Sequence, residues 1–208
     1  MVLEIYLFVD PLNRHCYDAE KTIERISQKL NKQISVRFVS MLNIQILRDF
    51  SLNQKLSHLD HNLPYDTILY FKAASFQGKK FGRHFLMDLQ KELLVNEEPY
   101  TDELVYKLAE RNGLDLDMFK EDRRSQLAEK MFRSDQRVAH EMNVQTPLTT
   151  VLFNSAVDKS GILIKDFDYN SLFGFCAKSI SSAEHFERIS QKSAHPSTIP
   201  YPKSNFQL

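Results

Sequence analysis

Two cysteines, seven histidines and their neighbours define the covalent and metal chemistry open to this 208-residue chain. Cys16 closes the run Asn13-Arg14-His15-Cys16, which follows an apolar segment and Asp10-Pro11-Leu12. A thiol at the start of a helix is a common setting for disulfide exchange, because helix-terminal N–H groups and the helix dipole stabilise the thiolate. A dithiol cycle in this loop needs a second cysteine three residues earlier, and that position is Asn13. What remains is one thiol, a turn inside the helix, where a cysteine usually packs as a small hydrophobe. Cys176 is the other thiol, and spacing alone does not place it within the ~4.4–6.8 Å Cα separation that a disulfide needs. His15, beside Arg14, offers a tuning group for Cys16 or an anion contact; its plainer reading is a solvated loop histidine. His58 and His61 flank Leu59-Asp60. Zinc would need a third and fourth ligand, or a pair one helical turn apart, and no suitable second cluster is present. No metal and no cofactor are expected. The chain has no G-x-S-x-G, Walker loop or G-x-G-x-x-G either.

The elements that would carry these residues follow from hydrophobic periodicity. Leu3, Ile5, Leu7 and Val9 alternate with a second, mostly apolar set, which marks a strand covered on both faces. Asp10-Pro11-Leu12-Asn13 breaks the run. Ala19, Ile23, Ile26 and Leu30 then recur at helical spacing, opposite Glu20, Lys21, Glu24 and Arg25. Ile34, Val36 and Phe38 alternate again as a second strand. From Asn43 to Met142 helical stripes dominate: a short helix with Ile44, Ile46, Leu47 and Phe50, a stretch from Ile68 to Leu93 loosened at Gly78 and Gly82, a helix capped by Thr101 and stopped at Asn112-Gly113, and a run from Asp115 to Met142. Thr149–Phe153 and Ile162–Ile164 read as an antiparallel hairpin. Ser181-Ser182-Ala183-Glu184 resembles a capping box for a last helix through Phe186 and Ile189, and Ser193–Leu208 reads as an extended tail.

The order β-α-β, helical block, β-β-α predicts an α/β, thioredoxin-like (DsbA-like) fold with a large all-helical insertion. Its expected parts are residues 1–42, the insertion 43–143, residues 144–192 and the tail 193–208. In such a fold the Asn13–Cys16 loop stands where a C-x-x-C dithiol lies. Thr146-Pro147, just before the returning strand, then stands where a cis-proline offers backbone groups to an extended peptide. Without the fold context, Thr146-Pro147 reads as an ordinary trans strand start.

Composition narrows the function classes. Twenty-seven basic side chains balance 27 acidic ones, so no electrostatic footprint points to nucleic acid or an anionic membrane. No stretch approaches the ~18 consecutive apolar residues of a membrane span. Met1–Asp10 has no basic leader region, carries Glu4 early and is followed by no small-residue cleavage site. Two cysteines are too few for a secreted disulfide scaffold, and the expected location is the cytoplasm.

Four segments also carry a family resemblance: LEIYLFVDPLNRHC at Leu3–Cys16, KAASFQGKKFGRHFLMDLQKELL at Lys72–Leu94, NGLDLDMFKEDRRS at Asn112–Ser125 and VQTPLTTVLFN at Val144–Asn154. Together the chain resembles the YjbH/SpxH family of DsbA-like proteins of low-GC Gram-positive bacteria, from the first residues to about Asp166. The resemblance implies a cytoplasmic adapter in regulated proteolysis, which binds the transcriptional regulator Spx and promotes its degradation by the ClpXP protease without a redox cycle. Members of that family commonly keep a C-x-x-C or its first cysteine, which aligns here with Asn13, and many are longer at the C-terminus. The DsbA-like likeness also implies an alternative, a thiol-dependent enzyme that exchanges disulfides through Cys16 or acts on glutathione with help from Asn13. An interaction module for another client is the third reading.

Overall fold

The computed structural model describes residues 3–30, 34–53, 60, 62–154, 160–165, 167–181 and 197–200. The chain runs β1 (Leu3–Val9), α1 (Arg14–Leu30), β2 (Ile34–Ser40), then six helices, α2 (Ile44–Leu52), α3 (Leu63–Phe76), α4 (Lys79–Leu94), α5 (Asp102–Arg111), α6 (Leu116–Arg124) and α7 (Gln126–Glu141). It returns through β3 (Thr150–Asn154), β4 (Ser160–Ile164), α8 (Tyr169–Ser181) and β5 (Ser197–Pro200). It divides into two compact units, one built from residues 1–9, 18–39 and 137–208, the other from 10–17 and 40–136.

The sheet unit has strand order β2-β1-β3-β4-β5. The double-sided apolarity of β1 is explained by this order: all its residues except Glu4 are buried, as befits a strand flanked on both edges and covered on both faces. β1 pairs antiparallel with β3 from Leu3↔Asn154 to Leu7↔Thr150, and β3 pairs antiparallel with β4, as the hairpin reading requires. Tyr6 meets Phe153 edge to face across that ladder, with ring centroids 5.6 Å apart. Ile23 and Ile26 of α1 and Leu172 of α8 are buried. On the outer side, Arg25 lies 4.5 Å over the Tyr169 ring and Lys29 5.3 Å over Phe173.

Two features of this unit depart from the expectations. The last described helix is α8, capped by Asp168, whose Oδ1 accepts from Ser171 N–H at 2.9 Å; Ser181, the expected start of a capping box, is the last residue of α8, and residues 182–184 with the helix expected beyond them lie outside the described residues. Backbone hydrogen bonding holds the Asp168 carboxyl below the usual carboxylate range. Within the segment read as a tail, β5 adds an antiparallel strand to β4, from Ser160↔Pro200 to Leu163↔Ser197. Proline has no N–H to donate, so a strand ending in Pro200 is tolerated at a sheet edge, where only one side of the ladder is paired.

The helical unit is organised round α3, of which Thr67 to Ser75 is continuously buried. Tyr70, Ala73 and Ala74 join Leu12, Phe50, Phe85, Leu89, Val105, Leu108 and Phe119 in one core. Leu12, packed in this core, accompanies the assignment of residues 10–17 to this unit. The stretch from Ile68 to Leu93 is two helices: Gly78, at φ +143°, makes the break between α3 and α4. A Cβ on Gly82 would stand 2.8 Å from Ser75 Cα, so glycine is what lets α4 approach α3 so closely. Thr101 caps α5 by accepting from Leu104 N–H at 3.1 Å, and Gly113 lies just past the stop, at φ +74°. The run from Asp115 to Met142 is also two helices, parted at Ser125.

Candidate functional site

β1 delivers the chain to Asp10, and a tight turn leads into α1. Asp10 Oδ1 accepts from Leu12 N–H at 3.0 Å, and Asn13 N–H donates to Asp10 O at 3.2 Å. Asn13 then acts as the N-cap of α1. Its Oδ1 accepts from His15 N–H at 2.8 Å and Cys16 N–H at 3.3 Å, while its carbonyl takes the first helical bond from Tyr17 N–H. Asn13 thus uses its side-chain oxygen to satisfy the first N–H groups of the helix. Arg14 and His15 are exposed. The Arg14 guanidinium donates to Leu94 O at 3.4 Å and lies 5.7 Å from the Tyr17 ring centroid.

Cys16 faces inward. Its side chain is 0% exposed, and Sγ accepts from Asp10 N–H at 3.4 Å. A thiol in that position cannot reach a disulfide in solution, so the loop offers no exposed sulfur for exchange. Asp10 is also buried. Burial pushes its carboxyl from 3.8 up to about 6, against the Leu12 hydrogen bond, and the nearby Asp49 adds to the rise. Cys176 is buried in the sheet unit, and desolvation pushes its thiol up to about 12. Neither cysteine forms a disulfide.

Thr146-Pro147 corrects an expectation. No cis peptide occurs among the described residues, so Pro147 follows Thr146 through a trans bond. Leu148 takes the left-handed conformation, at φ +63°. Its N–H donates to Phe8 O, while Phe8 N–H donates to Thr149 O, both at 2.9 Å. Leu148 and Thr149 together oppose Phe8, which is a β-bulge with its first residue left-handed. Thr149 Oγ1 closes the turn on Thr146 O at 2.9 Å. The extra residue Leu148 between Pro147 and the strand is the physical difference: the bulge absorbs it, and the backbone of Thr149 is already engaged by β1.

His58 and His61 lie outside the described residues. Among those described, no group of three or more histidine, cysteine, aspartate or glutamate side chains could hold a metal ion, and no helix is long and apolar enough to cross a membrane.

One polar constellation was not foreseen from the sequence. Lys72, fully buried in α3, forms an ion pair with buried Asp135 of α7. Asp135 Oδ2 also accepts from Ser40 N–H at 2.8 Å, and Gln136 Nε2 donates to Ser40 O at 2.8 Å. The backbone at the end of β2 is therefore gripped by α7, which Lys72 ties to α3. A single lysine inside the otherwise apolar run Ile68–Ala74 was the available signal. Its acidic partner lies 63 residues further along, which periodicity does not reach.

Comparison with known proteins places this architecture. A family model described as thioredoxin matches residues 6–174. The ClpXP adapter protein SpxH of Bacillus subtilis (strain 168) is 31% identical, over 78% of this chain and 62% of that protein. SpxH of Staphylococcus saprophyticus is 26% identical, over 78% and 60%. This chain thus spans about three fifths of the length of these curated relatives. Among solved structures, the cytosolic disulfide reductase DsbM of Pseudomonas aeruginosa superposes with a TM-score of 0.59 at 15% identity, covering 89% of this chain and 99% of that one. The thiol-disulfide exchange protein α-DsbA2 of Wolbachia pipientis gives 0.57 at 16% identity, covering 85% and 81%. These likenesses establish a thioredoxin-like, DsbA-type fold. With the family match running through most of its length, the chain belongs to the thioredoxin family.

Proposed function

We propose that this protein is an adapter that binds a Spx-type transcriptional regulator in the cytoplasm and promotes its degradation by the ClpXP protease, through surface contacts rather than thiol exchange. The observation that carries the reading is the loop at the start of α1. Asn13 occupies the first C-x-x-C position and caps the helix, and Cys16 is sealed beneath it. A DsbA-type scaffold whose exchange loop exposes no sulfur retains its folded surface as its means of action. The relatives named as ClpXP adapters support the identity of the protease and the mode of action.

The test is a reconstituted degradation reaction. Purified Spx and ClpXP are incubated with and without the full chain, and loss of Spx is followed on a gel. Faster loss with the chain present is the expected result. An unchanged rate, with the chain folded and in excess, would overturn the adapter reading.

A further inference from the structure

The helix α2 carries an amphipathic stripe that points the wrong way for a helix serving only its own core. Of its five apolar side chains, Ile46 and Phe50 are buried, whereas Ile44 is 86% exposed, Leu52 69% and Leu47 38%. Ile44, Leu47, Arg48, Ser51 and Leu52 stand at i, i+3, i+4, i+7 and i+8, the spacing that lines one face of a helix. The helix is firmly defined despite this. Asn43 caps its start by accepting from Ile46 N–H at 2.9 Å, and Phe50 anchors it in the helical core. Among the described residues the other large exposed apolar side chains, Phe81, Val95, Met118 and Leu127, are scattered over separate parts of the chain, as on any protein surface. Three on a single nine-residue helix form a patch of the kind that marks an interface.

The charge within the stripe selects the occupant. Ser51 Oγ donates to Leu47 O at 2.9 Å, which leaves Arg48 as the charged group of the face. Arg48 is exposed, and among the described residues no carboxylate pairs with it. The neighbouring Asp49 accepts from Gln45 at 2.7 Å and does not lie on the stripe. A second copy docked symmetrically on this face would bring two Arg48 cations into the contact and no carboxylate from either stripe. An apolar segment carrying a carboxylate instead meets both the aliphatic rim and the Arg48 cation.

We propose that the outer face of α2, made by Ile44, Leu47, Arg48 and Leu52, is where the client docks, and that the client offers it an apolar, acidic segment. This inference rests on the adapter reading. The aliphatic side chains supply the desolvated centre of the contact, and Arg48 supplies orientation and a salt-sensitive on-rate.

The test measures binding of fluorescently labelled Spx to the full chain by anisotropy, at low and high salt. Ile44→Asp/Leu52→Asp is expected to raise Kd by about tenfold or more, with the circular dichroism spectrum and Tm unchanged because both side chains are solvent-facing. Arg48→Glu should weaken binding and flatten its salt dependence, and Leu127→Asp, at an isolated apolar position on α7, should bind as wild type. Wild-type affinity in the α2 variants would overturn the docking face and leave the adapter reading standing. Failure of the unmodified chain to bind Spx would overturn both. Sedimentation velocity and co-sedimentation with vesicles containing anionic lipid run in parallel; a double variant that loses self-association or vesicle binding while keeping Spx would reassign the face to a second copy or a membrane.

Discussion

At the residue scale, the decisive positions are Asn13, Cys16 and Asp10. The spacing reads Asn13–Cys16 as a C-x-x-C position without its first cysteine, because the loop lies between an apolar strand and a helical stripe. That Asn13 caps α1 and Cys16 accepts from Asp10 N–H was not legible, since both depend on how the turn at Asp10-Pro11-Leu12 closes. Asp10 gives the residue-scale prediction. Its carboxyl holds a proton more tightly when folded, at about 6, than at its ordinary 3.8. Between those values the folded state binds more protons than the unfolded one, so stability falls as pH rises through that window and the full cost is present above it. Asp10→Asn retains an oxygen for Leu12 N–H and removes the charge. It should therefore stabilise the protein at pH 7–8 by about 3 kcal/mol, with the gain vanishing near pH 4. Urea unfolding of both proteins across that range checks the expectation; equal stabilities at pH 8 would contradict it.

At the element scale, β1, α1, β2 and the β3-β4 hairpin were readable because their burial follows period 2 or 3.6. The elements that escaped were set by contacts distant in sequence. β5 is a strand because β4 offers it an edge, although Pro200 argues against a strand locally. Thr146-Pro147 was read from its place in the fold, and the bulge at Leu148 replaced the expected cis bond through its pairing with Phe8. Lys72 and Asp135 likewise join α3 and α7 across a gap no pattern spans. Breaking a buried pair by removing one partner strands the other charge, at a cost of about 3–5 kcal/mol. Lys72→Met or Asp135→Asn alone should lower stability by that order, and the double variant, which keeps an oxygen for Ser40 N–H, should recover most of the loss. A thermal-melt double-mutant cycle measures this, and additive losses would show that the pair is not coupled.

At the scale of the whole molecule, the balance of 27 basic and 27 acidic residues and the DsbA-type architecture agree with a protein that acts by holding another. Spacing patterns revealed the scaffold. They did not reveal a docking surface, because the outward stripe of α2 resembles any amphipathic helix until burial shows which side faces water. The adapter reading and the buried thiol make one joint claim: client delivery does not pass through sulfur. The most direct test is the reconstituted Spx–ClpXP reaction run with the Cys16→Ala/Cys176→Ala variant, its fold checked by circular dichroism, beside the unmodified chain. Spx should disappear at the same accelerated rate with either protein. Acceleration by the unmodified chain alone, with the thiol-free variant folded, would contradict the claim and assign the activity to thiol chemistry.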